Sequence, residues 1–308
     1  MCIRDRLKYE ASVAGGIPIV NAINNGLNAN NISKFMGVFN GTSNFILTKM
    51  TEEGTPYEDA LKEAQDLGFA EADPTDDVEG IDAARKVVIT SYLSFNQVIN
   101  LKDVETEGIS GVTTHDIDAA KALGYKIKLI GKGAYVSGKV EASVKPTLIA
   151  HSHQLAAVEN EYNAIYVIGD AVGETMFYGK GAGSLATGSA VVSDLLNVAL
   201  QFESDLHTLP PHFELKTDKT KEMMDDGETV TIKEKESYYL VVNTPEVSQK
   251  QVEATLKSKL PFHKSLQIEP LSPHSVAVVV VGVDHHPTTY VESEEGYHVQ
   301  KVYPVEGV

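Results

Sequence analysis

Cysteine is almost absent. With only Cys2 in 308 residues no internal disulfide can form, and such scarcity fits a reducing compartment, so a cytoplasmic location is expected. Basic residues are also short, 26 Lys and Arg against 43 Asp and Glu, for a formal net charge of -17. That balance repels phosphate backbones and anionic lipid, and neither a nucleic-acid nor a membrane partner is expected. Long apolar runs are missing too: VAVVVVGV, residues 276–283, has the length of a strand and falls far short of a membrane span. There is no complete GxGxxG turn and no GxSxG. The histidine pairs, His151 with His153 and His285 with His286, have no cysteine or carboxylate at a recognisable spacing to complete a metal set and read as ordinary polar residues.

What is present is a 42% hydrophobic chain long enough for a main α/β body and one smaller unit. MCIRDR at the start has neither a signal-peptide core nor an amphipathic pattern, and reads as a truncated or mis-started frame whose first residues are non-native. KFMGVFN reads as a strand ending at Gly41-Thr42, and SNFILTKMTEEG as a helix stopping at Gly54. Thr55, Pro56 and Glu58 suggest a capped second helix with an apolar stripe at Tyr57, Ala60, Leu61, Ala64 and Leu67. A third helix is expected from about Asp77 to Leu93, with Val78, Ile81, Val88 and Tyr92 as its core face, and a short one over 116–123. YKIKLIGKG, KVEASVKPTLIA and NAIYVIGD read as strands, and residues 185–200 as a helix. After a hydrophilic stretch near 210–236 the order strand, helix, strand, strand describes a small βαββ unit with a short ending at HVQKVYPV.

Three segments carry candidate chemistry. EADPTDDVEGIDAARK, residues 71–86, supports two readings. In one, Asp73-Pro74 forms a turn, Asp76 caps the helix with Glu79, and Asp82 to Lys86 is an ordinary i,i+4 surface pair worth roughly 0.3–0.5 kcal/mol. In the other, Asp82 and Lys86 form an acid/base pair facing a cleft, with Glu71 positioned to hold a substrate cation. NGTSNFILTKM places Gly41 and Thr42 at a strand-to-helix junction, which is either a cap or a seat for a small anion. GKGAG, residues 179–183, is either a plain turn or a close backbone approach to a cofactor, and EASVAGGIPI either a tight turn or a carbonyl wrap for a hard cation.

In their order and spacing, NGTSNFILTKM, EAQDLGFAEADPTDDVEGIDAARK and FYGKGAG followed by TGSAVVSDLL closely resemble homoserine dehydrogenase, over about residues 7–205. The resemblance implies NADP- or NAD-dependent interconversion of L-homoserine and L-aspartate 4-semialdehyde, in threonine, methionine and isoleucine biosynthesis. It implies that Lys86 is the proton donor to the aldehyde oxygen, Asp82 its partner near the substrate hydroxyl, and Asp77 a further acid needed for activity. Glu71 matches the residue that binds the homoserine ammonium. Thr42 and Gly41 lie where substrate and nicotinamide are contacted, and Gly181 and Gly183 in the loop returning to the cofactor. Glu10, Val13, Gly15 and Ile17 match a sodium site of one carboxylate and backbone carbonyls.

The implied fold is α/β of the α+β kind: a mixed-sheet catalytic and dimerisation domain, a remnant of a Rossmann domain, and a C-terminal βαββ unit that looks like a degenerate ACT regulatory domain. The expected division is 1–20 (end of the nucleotide-binding domain), 21–180 (catalytic and dimerisation), 181–205 (helix returning to the cofactor domain), 206–236 (linker) and 237–308 (ACT-like). The resemblance also implies a homodimer, and threonine as a ligand of the ACT-like unit. Because this family opens with a Rossmann unit that is not seen here, the chain is expected to keep the substrate half of the site and show little or no dehydrogenase activity alone. A non-catalytic amino-acid-binding regulatory protein is the alternative; the joint presence of Asp82 and Lys86 favours the enzyme.

Overall fold

The computed structural model describes residues 7–203, 236–245, 249–260, 263–272, 274–284, 286–292 and 296–307. The opening MCIRDR, nearly all of the linker expected at 206–236, and His285 lie outside the described residues. In chain order, α1 (Ile19–Asn21) runs into a wide turn, Ala22–Gly26, and β1 (Ile32–Val38) leads to α2 (Gly41–Glu53), α3 (Tyr57–Asp66), α4 (Thr75–Val78) and α5 (Ile81–Phe95). Next come β2 (Glu105–Thr106), α6 (Thr114–Ala122), the hairpin β3 (Tyr125–Val136) and β4 (Lys139–Ala150), the hairpin β5 (Tyr162–Gly169) and β6 (Gly173–Lys180), and α7 (Ser184–Glu203). The C-terminal part supplies β7 (Glu236–Asn243), α8 (Gln249–Lys259), β8 (Ser265–Ser272), β9 (Ser275–Val283), α9 (Thr288–Val291) and β10 (His298–Glu306).

These strands pair into one mixed sheet in the order β6-β5-β1-β3-β4-β10-β7-β9-β8, with β2 added parallel to β4. Strand β1 lies between β3 and β5 and is antiparallel to both. Alternating residues put Phe35, Ile127, Leu129, Leu148, Ile165 and Val167 into the main core with Phe45, Ile46 and Met50 of α2 and Ala83, Ala84 and Val87 of α5. A second cluster, Met36, Val38, Ile130, Ile149 and Tyr166, is covered by Leu155, Ala156 and Val158. The helix-to-sheet layering removes the apolar face of each element from water, at about 25 cal/mol per Å².

Several local expectations are corrected. The helix expected over 77–93 is two helices, because Gly80 takes φ +77, a left-handed conformation that glycine adopts without a Cβ clash. Asp76 caps nothing: Asp73 accepts from the Thr75 N–H and hydroxyl, and Asp76 instead reaches Arg85 at 2.5 Å. Glu79, at the end of α4, is therefore not a box partner. The buried stripe of α5 is Ala83, Ala84, Val87, Thr90 and Ser91, small residues that let the helix lie close to the sheet, while Ile81, Val88 and Tyr92 are half-buried. Thr55 does not cap α3, since the extended Pro56 occupies the cap position itself. In the α3 stripe Ala60 and Ala64 are buried but Leu67 is exposed. GETMFYGK is a full strand, β6, which the sequence reading passed over.

The C-terminal unit is larger than βαββ. It is βαββαβ, with β10 antiparallel to β7 and the order β10-β7-β9-β8, the split-βαβ arrangement. Helix α8 covers one face through Val252 and Leu256, while Tyr239, Val241, Val279 and Tyr303 of the other face join the main core. Strand β10 also runs parallel to β4 at Val305 and Glu306, which makes the two sheets continuous. Glu306 receives Lys34 of β1 at 2.9 Å and Lys132 of β3 at 2.7 Å, and Lys301 pairs with buried Asp116.

Burial alone would push the Glu306 carboxyl up, but Lys132 and Lys34 together hold it below the ordinary carboxylate range. A depressed carboxylate contributes stability above its unfolded value that is lost as pH falls through the folded one. Glu306→Gln is expected to lower the free energy of unfolding by about 1–3 kcal/mol at pH 7. The difference from wild type should shrink in urea titrations below roughly pH 4.

Candidate functional site

The end of β1 and the starts of α2, α4 and α5 converge on one residue, Asn40. As the N-cap of α2 it uses Oδ1 to accept from the Ser43 N–H at 2.8 Å, satisfying an otherwise free helix donor. The same amide turns its two Nδ2 hydrogens outward, to Asp77 Oδ1 at 2.7 Å and Asp82 Oδ2 at 2.9 Å. One turn along α5, Lys86 Nζ donates to Asp82 Oδ2 at 2.7 Å and to the Phe39 carbonyl at 2.9 Å. Asp82 and Lys86 are mostly buried, with side-chain exposures of 29% and 19%, so this pair is screened less than a surface pair. The ion pair that both sequence readings expect is therefore formed, half-buried and held at its far end by the Phe39 carbonyl.

Asp77 extends the cluster. Burial pushes its carboxyl above the ordinary range, the Asn40 hydrogen bond opposes the rise, and the neighbouring Asp82 carboxylate adds to it. Two carboxylates, one ammonium and a bridging amide therefore share one half-buried space, able to hold a polar ligand and deliver a proton to it.

The other expected residues fall into three groups. Thr42 is buried in the first turn of α2 and donates its hydroxyl to the Phe69 carbonyl at 2.7 Å. Gly41, its neighbour, approaches the Glu161 carbonyl so closely that a Cβ would lie 2.6 Å from it. Glu71 is exposed after α3; its carbonyl accepts from Gln65, and no bond links its carboxylate to the Asn40 cluster among the described residues. Gly181 and Gly183 lie in the loop from β6 to α7, where a Cβ on Gly181 would fall 2.1 Å from the Asn163 side chain and Gly183 faces open space at φ +106.

The fourth expected cluster is built on a turn. Ala14 and Gly15 both have positive φ, and the carbonyls of Val13, Gly15 and Ile17 belong to that turn. Gly15 lies against the Gly181 carbonyl, where a Cβ would be 2.4 Å away. Glu10 caps α1 by accepting from Val20 N and Asn21 N at 2.9 and 2.8 Å, and its own N–H donates to Asp194 of α7. Burial holds the Glu10 carboxyl above its ordinary range, opposed by those two N–H groups and helped by Asp194. Two acids side by side, with carbonyls close in the chain, offer hard oxygen donors rather than the nitrogen and sulfur ligands of a transition metal.

Asn40 and Asn163 were not singled out in the sequence. Asparagine before a helix was visible as a cap, but its second role rests on partners 37 and 42 residues away. Lys128 of β3 was also missed. It is enclosed, donates to Asn44 Oδ1 at 3.1 Å and to the Val158 carbonyl, and Asn44 in turn holds the Asn160 carbonyl at 2.8 Å. This knot fastens the approach to β5 against α2. Helix α7 leaves Leu185, Val192, Leu195 and Leu196 exposed along much of its length.

Comparison with known proteins gives a consistent result. A family model described as homoserine dehydrogenase matches residues 18–196, and one described as homoserine dehydrogenase C-terminal domain matches 235–308. The homoserine dehydrogenase of Bacillus subtilis is 59% identical over 190 residues, covering 62% of this chain and 44% of its own length. That of Neisseria gonorrhoeae is 49% identical over 206 residues, 67% of this chain and 47% of its own. This chain thus spans just under half the length of these curated relatives. A crystal structure of Staphylococcus aureus homoserine dehydrogenase at pH 6.0 superimposes with a TM-score of 0.79 at 67% identity, over 91% of this chain and 67% of that one. A hyperthermophilic archaeal homoserine dehydrogenase in complex with NADPH aligns at TM-score 0.54 and 32% identity, over 63% and 56%.

Burial pushes the Lys128 ammonium down to about 7. Unfolded lysine titrates near 10.4, so between those values the unfolded chain binds more protons and stability rises with pH. Urea titrations should show wild type gaining roughly 2–4 kcal/mol over Lys128→Met between pH 7 and 10. Equal pH slopes for the two proteins would show that the lysine is not titrating in this window.

Proposed function

The chain belongs to the homoserine dehydrogenase family, and on that premise we propose that the Asn40–Asp77–Asp82–Lys86 cluster is the substrate half of an NAD(P)-dependent homoserine dehydrogenase site. The observation that carries this reading is the doubly held Lys86 ammonium, fixed by Asp82 and by the end of β1. The reaction is the interconversion of L-homoserine and L-aspartate 4-semialdehyde.

The nicotinamide cofactor supplies or takes the hydride when bound; the NADPH complex of the archaeal relative supports its class. In the reducing direction the aldehyde oxygen gains negative charge, and Lys86 sits ready to neutralise it and give up a proton. Asp82 keeps the ammonium on one line of approach while lying near the substrate hydroxyl. Asp77, tied to Asp82 through Asn40, keeps that amide from rotating and so sets where Asp82 points. Glu71 is assigned the substrate ammonium; its exposed carboxylate is free of other bonds among the described residues and can turn inward. Gly41 and Thr42 flank the same opening.

Gly181 and Gly183 fit a cofactor edge, because the loop has no side chain to block close approach. The exposed apolar face of α7 fits packing against a nucleotide-binding unit of the kind implied for residues 1–20. The amino-acid end of the reading extends to the ACT-like unit, 237–308, as a seat for threonine, and to a homodimer through the catalytic sheet. Glu10 with the Val13, Gly15 and Ile17 carbonyls is the proposed sodium site, supported by the pairing of Glu10 with Asp194 at that turn.

Two measurements test these assignments. Calorimetric titration should show L-homoserine binding to the wild-type chain and at least about tenfold weaker binding to Asp82→Asn and Glu71→Ala. Absent binding in wild type, or unchanged binding in both variants, would sink the substrate assignment. Sodium chloride should raise the melting temperature by roughly 2–4 °C over choline chloride at equal ionic strength, and Glu10→Gln should abolish the difference. An equal rise in both salts would remove sodium from the account.

A further inference from the structure

The strip between α5 and α6, residues 104–113, is tied to the candidate site on one side and to the C-terminal unit on the other. Its strand β2 pairs with Ser143 and Val144 of β4, and the Glu107 N–H donates to the Val144 carbonyl at 2.8 Å. The Ile109 N–H then donates to the Val78 carbonyl at 2.7 Å, taking up one of the acceptors that the end of α4 leaves open. No slack remains at this contact: a Cβ on Gly108 would stand 2.5 Å from both the Val78 oxygen and the Glu79 Cα. Gly80, the left-handed break between α4 and α5, lies on the same strip. A Cβ there would be 3.1 Å from Val144, 3.3 Å from the Thr106 methyl and 3.6 Å from the Glu107 carbonyl. Asp77 immediately precedes Val78 and Asp82 opens α5 just after Gly80, so the bend that spaces the two carboxylates rests on 106–109.

The other side of the strip is held from the far end of the sequence. Lys301 of β10 donates to the Gly111 carbonyl at 2.8 Å and to Asp116 Oδ2. Asp116 has its local needs met without the lysine, since the same Oδ2 accepts from the Thr113 N–H and hydroxyl at 2.9 and 2.7 Å in the capping box of α6. What Lys301 adds is a counter-charge for a carboxylate only 4% exposed, and a direct hold on the backbone of the strip. Its own base is firm: Tyr303 and Val305, next on the same face of β10, belong to the main core, and Tyr303 stacks on Tyr239 of β7 at 6.0 Å with the rings 9° from parallel. Between the two holds the strip is filled by buried Ile109 and Val112, so a displacement at Gly111 meets no loose packing that would absorb it.

We propose that Lys301 is a positioning residue for the candidate site: through Gly111 and Asp116 it holds the strip on which the bend from α4 to α5 is seated, and so sets how Asp77 and Asp82 stand around Asn40. It touches no reacting group and acts only through the strip. Without it the Asp116 carboxylate loses its counter-charge and turns toward water, Gly111 loses its donor, and Ile109 carries the shift to Val78. The two Asn40 hydrogen bonds, at 2.7 and 2.9 Å, register that shift first. The C-terminal unit thereby contributes to the geometry of the site whether or not it holds a ligand of its own. This deepens the reading of the previous section and rests on it, because the spacing matters to binding only if the cluster receives substrate.

Two variants of the full chain separate this role from plain stability. Lys301→Met keeps the stem and removes the charge, whereas Glu306→Gln also loosens the C-terminal unit, but from β1 and β3 and away from the strip. NMR of asparagine-labelled protein reads the Asn40 side-chain NH2 signals, assigned by their loss in Asn40→Asp. Lys301→Met should move those signals and weaken L-homoserine binding, measured by calorimetry, about threefold to tenfold, while Glu306→Gln leaves both as in wild type. Lys301→Gln, shorter and uncharged, should move the same signals, so the test survives if the methionine variant misfolds. Asn40 signals or L-homoserine affinity unmoved by the Lys301 variants, or moved as far by Glu306→Gln, would overturn the proposal. Failure of the parent reading has a separate signature: wild type would then not bind L-homoserine at all, and the Asn40 signals, read without ligand, would still decide the positioning role.

Discussion

Everything in the candidate site depends on a single amide being asked to satisfy opposite demands. Asn40 must present its oxygen to the α2 backbone and its nitrogen to two carboxylates. An aspartate could cap α2 equally well but would repel Asp77 and Asp82. A serine could cap but offers one hydrogen where two are needed. The orientation of the amide is thereby determined by its surroundings, and with it the relative placement of α2, α4 and α5. Lys86 is the complementary member: it returns to the Phe39 carbonyl, one residue before Asn40, and closes the ring. The geometry of the candidate site and the capping of α2 are here the same set of hydrogen bonds.

How much of this was legible in the sequence follows the range of the interactions. Asp82 and Lys86 stand four apart, and a helix needs no further help to bring them together, so their pairing was foreseeable from spacing. Asn40 was visible only as a possible cap, because its carboxylate partners arrive from another part of the chain. The break at Gly80 was overlooked since apolar spacing carries on through it; a glycine just before the helical run was the cue. The α5 core face was misplaced because small residues, not the larger Val88 and Tyr92, face the sheet. Strand β10 was reduced to a short ending by its proline, yet Pro304 lies just before the two residues that pair with β4, where the missing N–H is tolerated.

The buried polar groups divide into those tied down and those left waiting. Lys128 and Asn44 belong to the first kind, a closed network among carbonyls that costs desolvation but specifies how the approach to β5 meets α2. Asn163, a few residues along that same segment, belongs to the second. Gly41 and Gly181 lie against it without side chains of their own.

The position of β10 has a consequence for how the chain is made. The last strand in sequence occupies the middle of the sheet, between β4 and β7, and Glu306 reaches back to β1 and β3. During synthesis from the amino terminus, β1, β3 and β4 emerge long before the strand that joins them to the C-terminal unit. Until then the edge of β4 offers open backbone groups along part of its length, a surface prone to pairing with other chains. Contacts separated by 272 and 174 residues close only after β10 has emerged. The emergence of β10 is thus the step that seals the sheet, and a chain stalled before it would expose its centre rather than lose its fringe.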